Sequence, residues 1–267
     1  MKRPLGGVFL VPLLHGAIFL QEGAEDVADV PSQDLRVGGD EAKRYFLIGP
    51  GKEAKAPAEG FRLLVVLPGG DGSADFHPFV KRIFQNALPE GYLVAQLVSP
   101  PWKTENFIWP TKLNRVPKQK YATEELIEEV IAEVRKKHKL DPRFLFTLGW
   151  SSGGPPSYTI SLQENRSVTG SFISQSVFYP QNYPPLKRAK GYAYYIHHSP
   201  EDRSCKFELA EEARETLKKQ GAKVEIRTYK GGHGWTEDQF GHIRRGIEWL
   251  ERNHAEPPKE GKKGARR

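Results

Sequence analysis

Strand-like and helix-like segments alternate along most of the 267-residue chain, and that alternation predicts an α/β fold with a mostly parallel central sheet and helices on both faces. Three observations carry the prediction. Nearly continuous apolar runs, Phe61 to Leu67 and Tyr92 to Val98, are bounded by turn residues, as in strands buried on both faces. Between such runs lie stretches with apolar residues at helical spacing, over 78–88, 123–138, 207–219 and 239–253. Glycine (26) and proline (21) are plentiful enough to supply the many turns between them.

At the start, Lys2 and Arg3 precede an apolar run from Leu5 to Leu20 that Pro12 and His15 interrupt. A basic start with a short apolar core reads as an export leader over 1–22. The run is too short and broken for a spanning helix. The reading is an exported protein, periplasmic or extracellular, with no stable membrane insertion after processing; a cytoplasmic chain is the alternative. Residues 23–42 are acidic with scattered Gly, Pro and Ala, and read as a linker. The folded domain is expected over 43–254. The tail 255–267 sets five basic residues against Glu256 and Glu260 and reads as disordered. The net charge of +7 bears on solubility more than on function, and no nucleic-acid partner is expected. The single cysteine, Cys205, excludes an internal disulfide and a cysteine metal cluster.

Within the domain, Arg44 to Ile48 reads as a strand. After the strand 61–67 comes Pro68-Gly69-Gly70-Asp71-Gly72-Ser73. Three glycines there let backbone approach a ligand, and free N–H groups can stabilise a developing oxyanion. Gly70 is the first choice of donor and Asp71 the second. No Gly-Lys-Ser/Thr follows, so this is no Walker loop. After the strand 92–98, residues 99–117 form a long loop rich in aromatics at a strand end, where α/β folds place ligand contacts. Trp102 and Trp109 are its candidate substrate contacts. The helix at 123–138 has glutamates in its first turns and Lys/Arg in its last, which complements the helix dipole and needs no functional explanation.

The run Phe144 to Leu148 ends in Gly149-Trp150-Ser151-Ser152-Gly153, the G-x-S-x-G pattern of a nucleophile elbow with Ser151 in the serine slot. Glycines two before and two after relieve crowding at a strained strand-to-helix turn. Trp150 is a further candidate substrate contact, with Asp71. A helix over 153–162 should follow, Pro155 and Pro156 fitting its first turn. Strands are expected within 168–177, over 192–196 and over 222–229, with loops His197 to Asp202 and Lys230 to Trp235 after the last two.

Three residue types now stand at three strand ends: Ser151, then Asp202, then His233. Serine needs a base to take its proton. Histidine titrates near neutrality and can carry that proton to a leaving group. A carboxylate behind the imidazole fixes its tautomer and stabilises its cation. Glu201 competes with Asp202 for the acid, the shorter side chain being preferred because it loses less rotamer freedom. His197 and His198 read as polar residues packed at a strand end, His242 and His254 as solvent-facing, His77 as a possible neighbour of the site, and Cys205 as a helix-start residue.

These segments together resemble the α/β-hydrolase superfamily. The resemblance rests on Leu67 to Gly72, Gly149 to Gly154, His197 to Asp202 and Gly231 to Trp235, within a span of about 43–253. It is closest to the phospholipase/carboxylesterase and polyhydroxybutyrate-depolymerase-like serine esterases. It implies an α/β-hydrolase fold, Ser151 as nucleophile, Asp202 as acid, His233 as base, and the N–H groups of Ser152 and Gly70 as the oxyanion hole; the short spacings leave little room for a large lid domain. Two departures stand out. Pro68-Gly69 replaces the His-Gly of many relatives, and Ser199 takes the glycine slot of a His-Gly-x-x-Asp motif, which keeps Glu201 open as the acid. The expected activity is hydrolysis of a small-molecule or polymeric carboxylic ester through an acyl-enzyme, with no metal or organic cofactor. The alternatives are a serine peptidase of the same fold and a non-catalytic binding protein on the same scaffold.

Overall fold

The strands are β1 (Ser32–Arg36), β2 (Arg44–Ile48), β3 (Phe61–Leu67), β4 (Tyr92–Leu97), β5 (Leu140–Trp150), β6 (Gly170–Ser174), β7 (Ala193–His198) and β8 (Lys223–Thr228). The helices are α1 (His77–Ala87), α2 (Thr123–Lys137), α3 (Gly154–Ser161), α4 (Phe207–Lys219) and α5 (Gln239–Asn253). The structure is a computed structural model and describes residues 24–49, 51, 55–236 and 238–257. The expected leader, 1–22, lies outside the described residues, as does the chain from 258 onward.

All eight strands join one sheet in the order β1-β2-β4-β3-β5-β6-β7-β8. The pairs from β4 through β3 to β8 are parallel, and β1 and β2 add an antiparallel edge. Strand alternation distributes β3 between two cores. Leu63, Val65 and Leu67 pack with residues of α2, α3 and α4 on one face, while Leu64 and Val66 pack with α1 and α5 on the other. Each such fully buried side chain contributes about 1.5–3 kcal/mol. Double-sided cover is why these strands read as unbroken apolar runs. Among the described residues no helix is long and apolar enough to cross a membrane.

The linker expected over 23–42 is not one. Ala24–Val27 forms a 3-10 turn, and Val27 and Val30 are buried in the core beside α1. Asp26 accepts two hydrogen bonds from Arg82 of α1, each 2.8 Å. β1 then pairs with β2 from Ser32↔Ile48 to Arg36↔Arg44. Its sequence, Ser-Gln-Asp-Leu-Arg, shows no apolar alternation because an edge strand with exposed faces requires none. At the other end Ala255 is buried, and its N–H donates to the Thr169 carbonyl at 2.8 Å, so the packed body continues into the segment expected to be a disordered tail.

Candidate active site

β5 runs directly into a 3-10 turn, Ser151–Gly153, and then α3. Ser151 adopts φ +50°, in the left-handed region that a side chain rarely enters. The surroundings impose it. A Cβ on Gly149 would stand 2.2 Å from the Gly153 carbonyl oxygen, and one on Gly153 would stand 2.0 Å from that of Leu67. The Ser151 carbonyl accepts a hydrogen bond from Ser176 Oγ at 2.7 Å. Strand, helix and the loop after β6 therefore fix this backbone from three sides, which is how such strain persists.

Asp202 and His233 come to the same strand edge. His233 Nδ1 lies 2.8 Å from Asp202 Oδ2, and His233 Nε2 lies 3.1 Å from Ser151 Oγ. The Asp202 carboxylate is fully buried. Its Oδ1 accepts the N–H groups of Ser204 and Cys205, both at 2.8 Å. Burial alone would raise its pKa. The hydrogen bonds from His198, His233 and the Cys205 N–H outweigh burial and hold it well below the usual carboxylate range. An ionised Asp202 accepts the Nδ1 proton, which leaves Nε2 free to accept from the Ser151 hydroxyl.

Glu201 is exposed, and its carboxylate accepts the Gly231 N–H at 3.2 Å instead of facing the imidazole. The neighbouring Gly232 is held twice: its N–H donates to Ser199 Oγ at 3.2 Å, and its carbonyl accepts from Tyr229 Oη at 2.9 Å. Ser199 Oγ also accepts the Glu201 N–H at 3.1 Å. The serine in the glycine slot thus stitches the acid loop to the base loop. Behind them His197 stacks on Tyr229 at 4.4 Å and pairs with Ser174 Oγ at 3.1 Å. Burial first, then the neighbouring His242, His198 and Arg245, push its pKa down to about 3. Burial, with the charge of Asp202, pushes the Cys205 thiol up to about 12.

His198 is the buried polar residue at a strand end that its sequence suggested, but sequence reasoning missed its contacts: its Nε2 donates to the Cys205 carbonyl at 2.7 Å and stands 3.3 Å from Asp202 Oδ2. It also missed Ser176 and Tyr229; only Ser199 carried a signal, its departure from the glycine of the motif. His242 is not simply solvent-facing, since its ring lies 4.7 Å from that of His197. His254 rests edge-on against Phe144. His77 lies away from the cleft, stacked on Phe46 and bonded to Gln96 and Ser32.

Two of the three tryptophans, Trp150 and Trp109, are buried instead of facing the cleft as expected. Trp150 is 5% exposed and packs edge-on against Phe76, Phe79 and Trp235. Its ring closes on Gly69, where a Cβ would lie 2.6 Å from it. Trp109 is 4% exposed, and its indole N–H donates to the Pro68 carbonyl at 3.0 Å. Trp102 is half-buried, edge-on to Tyr121 at 4.7 Å and packed against the core. The physical reason for the burial of Trp150 and Trp109 is that large rings gain more from packing under the loops than from facing water. Asp71 stays at the exposed rim, its carboxylate accepting the Ser73 N–H at 3.0 Å. A cavity of about 490 Å³ opens instead between Val177 and Tyr179 after β6 and Arg203, Lys206 and Leu209 around the start of α4. Its lining includes Ser204, whose N–H donates to Asp202, but none of Ser151, Asp202 and His233. A second cavity, about 310 Å³ between β8 and α5, is likewise lined by none of the three.

Comparison with known proteins agrees with this architecture. The model of the dienelactone hydrolase family matches residues 77–249. No curated protein matches the chain in sequence. Among solved structures, the α/β hydrolase MGS-M1 from a Medee basin deep-sea metagenome library is 11% identical over 84% of this chain and 97% of its own, with a TM-score of 0.61. The propionate-bound esterase Est2 of Thermogutta terrifontis is 14% identical over 85% of this chain and 94% of its own, with a TM-score of 0.59. The Bacillus cereus carboxylesterase is 15% identical over 86% and 97%, with a TM-score of 0.53. At these identities the structural likeness is one of fold.

Proposed function

The chain belongs to the dienelactone hydrolase family, hydrolases of ester bonds, and from that premise we propose that it cleaves carboxylic esters through an acyl-enzyme on Ser151. The observation that carries the reading is the continuous relay from Ser151 Oγ through the His233 ring to Asp202, at 3.1 and 2.8 Å. In the first half-reaction Ser151 Oγ attacks the ester carbonyl while its proton passes to His233 Nε2. The C–O bond of the alcohol then breaks and the alcohol leaves with that proton. In the second half-reaction water gives a proton to His233 and attacks the acyl carbon. The acid departs and Ser151 regains its proton. Asp202 stays ionised throughout and stabilises the imidazolium. The N–H groups of Ser152 and Gly70 would receive the oxyanion of each tetrahedral intermediate. The steps balance without an added cofactor.

The test is turnover of p-nitrophenyl esters of several acyl lengths, beside matched anilides, with fluorophosphonate labelling. Ester turnover and labelling that both vanish in Ser151→Ala are expected. Labelling that persists in Ser151→Ala would displace the nucleophile, and faster cleavage of anilides than of esters would make the chain a peptidase.

A further inference from the structure

We propose that the Ser152 side chain, backed by Trp109, is a positioning residue that presets the oxyanion hole; the proposal rests on the ester-hydrolase reading above. Between Pro68 and Gly72 every carbonyl is occupied. Trp109 Nε1 donates to Pro68 at 3.0 Å, and the Gly72 N–H donates to Gly69 at 2.9 Å. Ser152 Oγ donates to Gly70 at 2.9 Å. Ser99 Oγ and Lys103 Nζ donate to Asp71 at 2.7 and 2.5 Å, and the Ser99 N–H donates to Gly72 at 2.9 Å. The N–H groups of Gly70 and Asp71, by contrast, donate to no described residue.

In a trans peptide the C=O and N–H point in opposite directions. With the Gly70 carbonyl turned onto the elbow at Ser152, the Asp71 N–H faces away from it. With the Gly69 carbonyl folded inward onto Gly72, the Gly70 N–H faces out of the turn. The arrangement selects Gly70 over Asp71 as the donor. It also needs Gly70 at φ +56°, a conformation glycine adopts without strain.

Ser152 has a second consequence. Its own N–H is the other donor of the hole, so its hydroxyl ties the two donors into one unit. The hydroxyl also occupies an acceptor, the Gly70 carbonyl, beside the place where negative charge develops. Without it that carbonyl is free to turn and to repel the oxyanion. Trp109 secures the near end of the loop from a buried position, which is a different use of the ring from the substrate contact its sequence suggested.

Ser152→Ala is expected to lower kcat about 10- to 100-fold, part of what a lost oxyanion donor costs, with KM within about twofold. Affinity for an arylboronic acid, which becomes tetrahedral on the serine, should fall by the same factor as kcat/KM. Ser152→Thr, which keeps the hydroxyl, should restore both, and Trp109→Phe, which keeps the ring and loses the donor, should fall between. A Ser152→Ala enzyme with wild-type kcat overturns the proposal, as does one whose kcat falls while boronate affinity holds. Thermal melting of each variant separates loss of fold from loss of alignment: Ser152→Ala melting with the wild type supports the proposal, and a loss of kcat that tracks melting overturns it. A wild-type chain that neither cleaves esters nor binds the boronate overturns the underlying reading instead.

Discussion

Ser151 and His233, the proposed nucleophile and base, are held by different physics. At the elbow, position comes from backbone crowding: a Cβ on Gly153 would meet the Leu67 carbonyl oxygen at 2.0 Å, and Ser151 has no other room. Beside the base, at Gly232, there is space. Gly232 sits at φ +74° with nothing nearer to its Cβ position than the Glu201 carbonyl oxygen at 3.7 Å. His233 is instead steered by hydrogen bonds that its loop makes to acceptors distant in sequence: Gly232 N–H to Ser199, Gly231 N–H to Glu201, and His233 Nδ1 to Asp202. Ser151 is placed by steric exclusion and His233 by directed polar contacts. The two should fail differently under mutation.

The hardest test of the polar half is the acid. Asp202→Asn is expected to lower kcat by about 10³- to 10⁴-fold, because an amide stabilises neither the required tautomer nor the imidazolium. Glu201→Gln should cost less than about tenfold, since Glu201 reaches only the Gly231 N–H and a neutral acceptor can replace it. Equal losses would mean that the two loops share the burden of the acid. Asp202 also predicts the acid limb of stability. Its folded pKa lies below its unfolded one, so its stabilisation is complete above about pH 4 and is lost as pH falls through the folded value. The fall in melting temperature on acidification below pH 4 should be shallower in Asp202→Asn.

Glycine substitutions compare the two loops directly. Gly153→Ala should destabilise the fold by about 3 kcal/mol or more, because the atom it meets is backbone that cannot step aside. Gly232→Ala should cost about 1–2 kcal/mol, the strain of a left-handed alanine in open space. Urea unfolding of both variants reads the difference. Similar values would mean that the elbow relaxes and that crowding does not hold Ser151.

The same contrast explains what the sequence disclosed. Crowding leaves a local mark, since glycine must recur two residues to either side of Ser151, and the elbow was legible from those residues. Double-sided burial also leaves one, in the apolar runs of β3 and β4. Polar steering leaves almost none. Tyr229 is an ordinary residue until the fold brings it to Gly232, Ser199 shows only as a departure from a motif's glycine, and Asp202 and His233 had to be singled out by chain order, loop position and side-chain length. Trp109 and Trp150 were misread because composition records an aromatic ring but not which way it faces. β1 was missed because its pairing with β2 is specified by the partner strand and not by any alternation of its own.

Ser199 is where the smallest effect is expected and where the comparison is most finely drawn. Its buried Oγ accepts two N–H groups, from Glu201 in the acid loop and Gly232 in the base loop. Ser199→Gly removes both contacts and puts glycine in the slot where the His-Gly-x-x-Asp pattern has it. If steering is distributed, Asp202 and Tyr229 still hold the base loop, and kcat should fall by less than about tenfold with a stability loss of about 1–2 kcal/mol for two unpaired donors. The pH–rate profile should keep its shape, because the Asp202 to His233 contact is untouched. A loss approaching that of Asp202→Asn would show that the base is aligned through Ser199 and not through its carboxylate. An increase in kcat would show that this serine restrains a loop that works better when free.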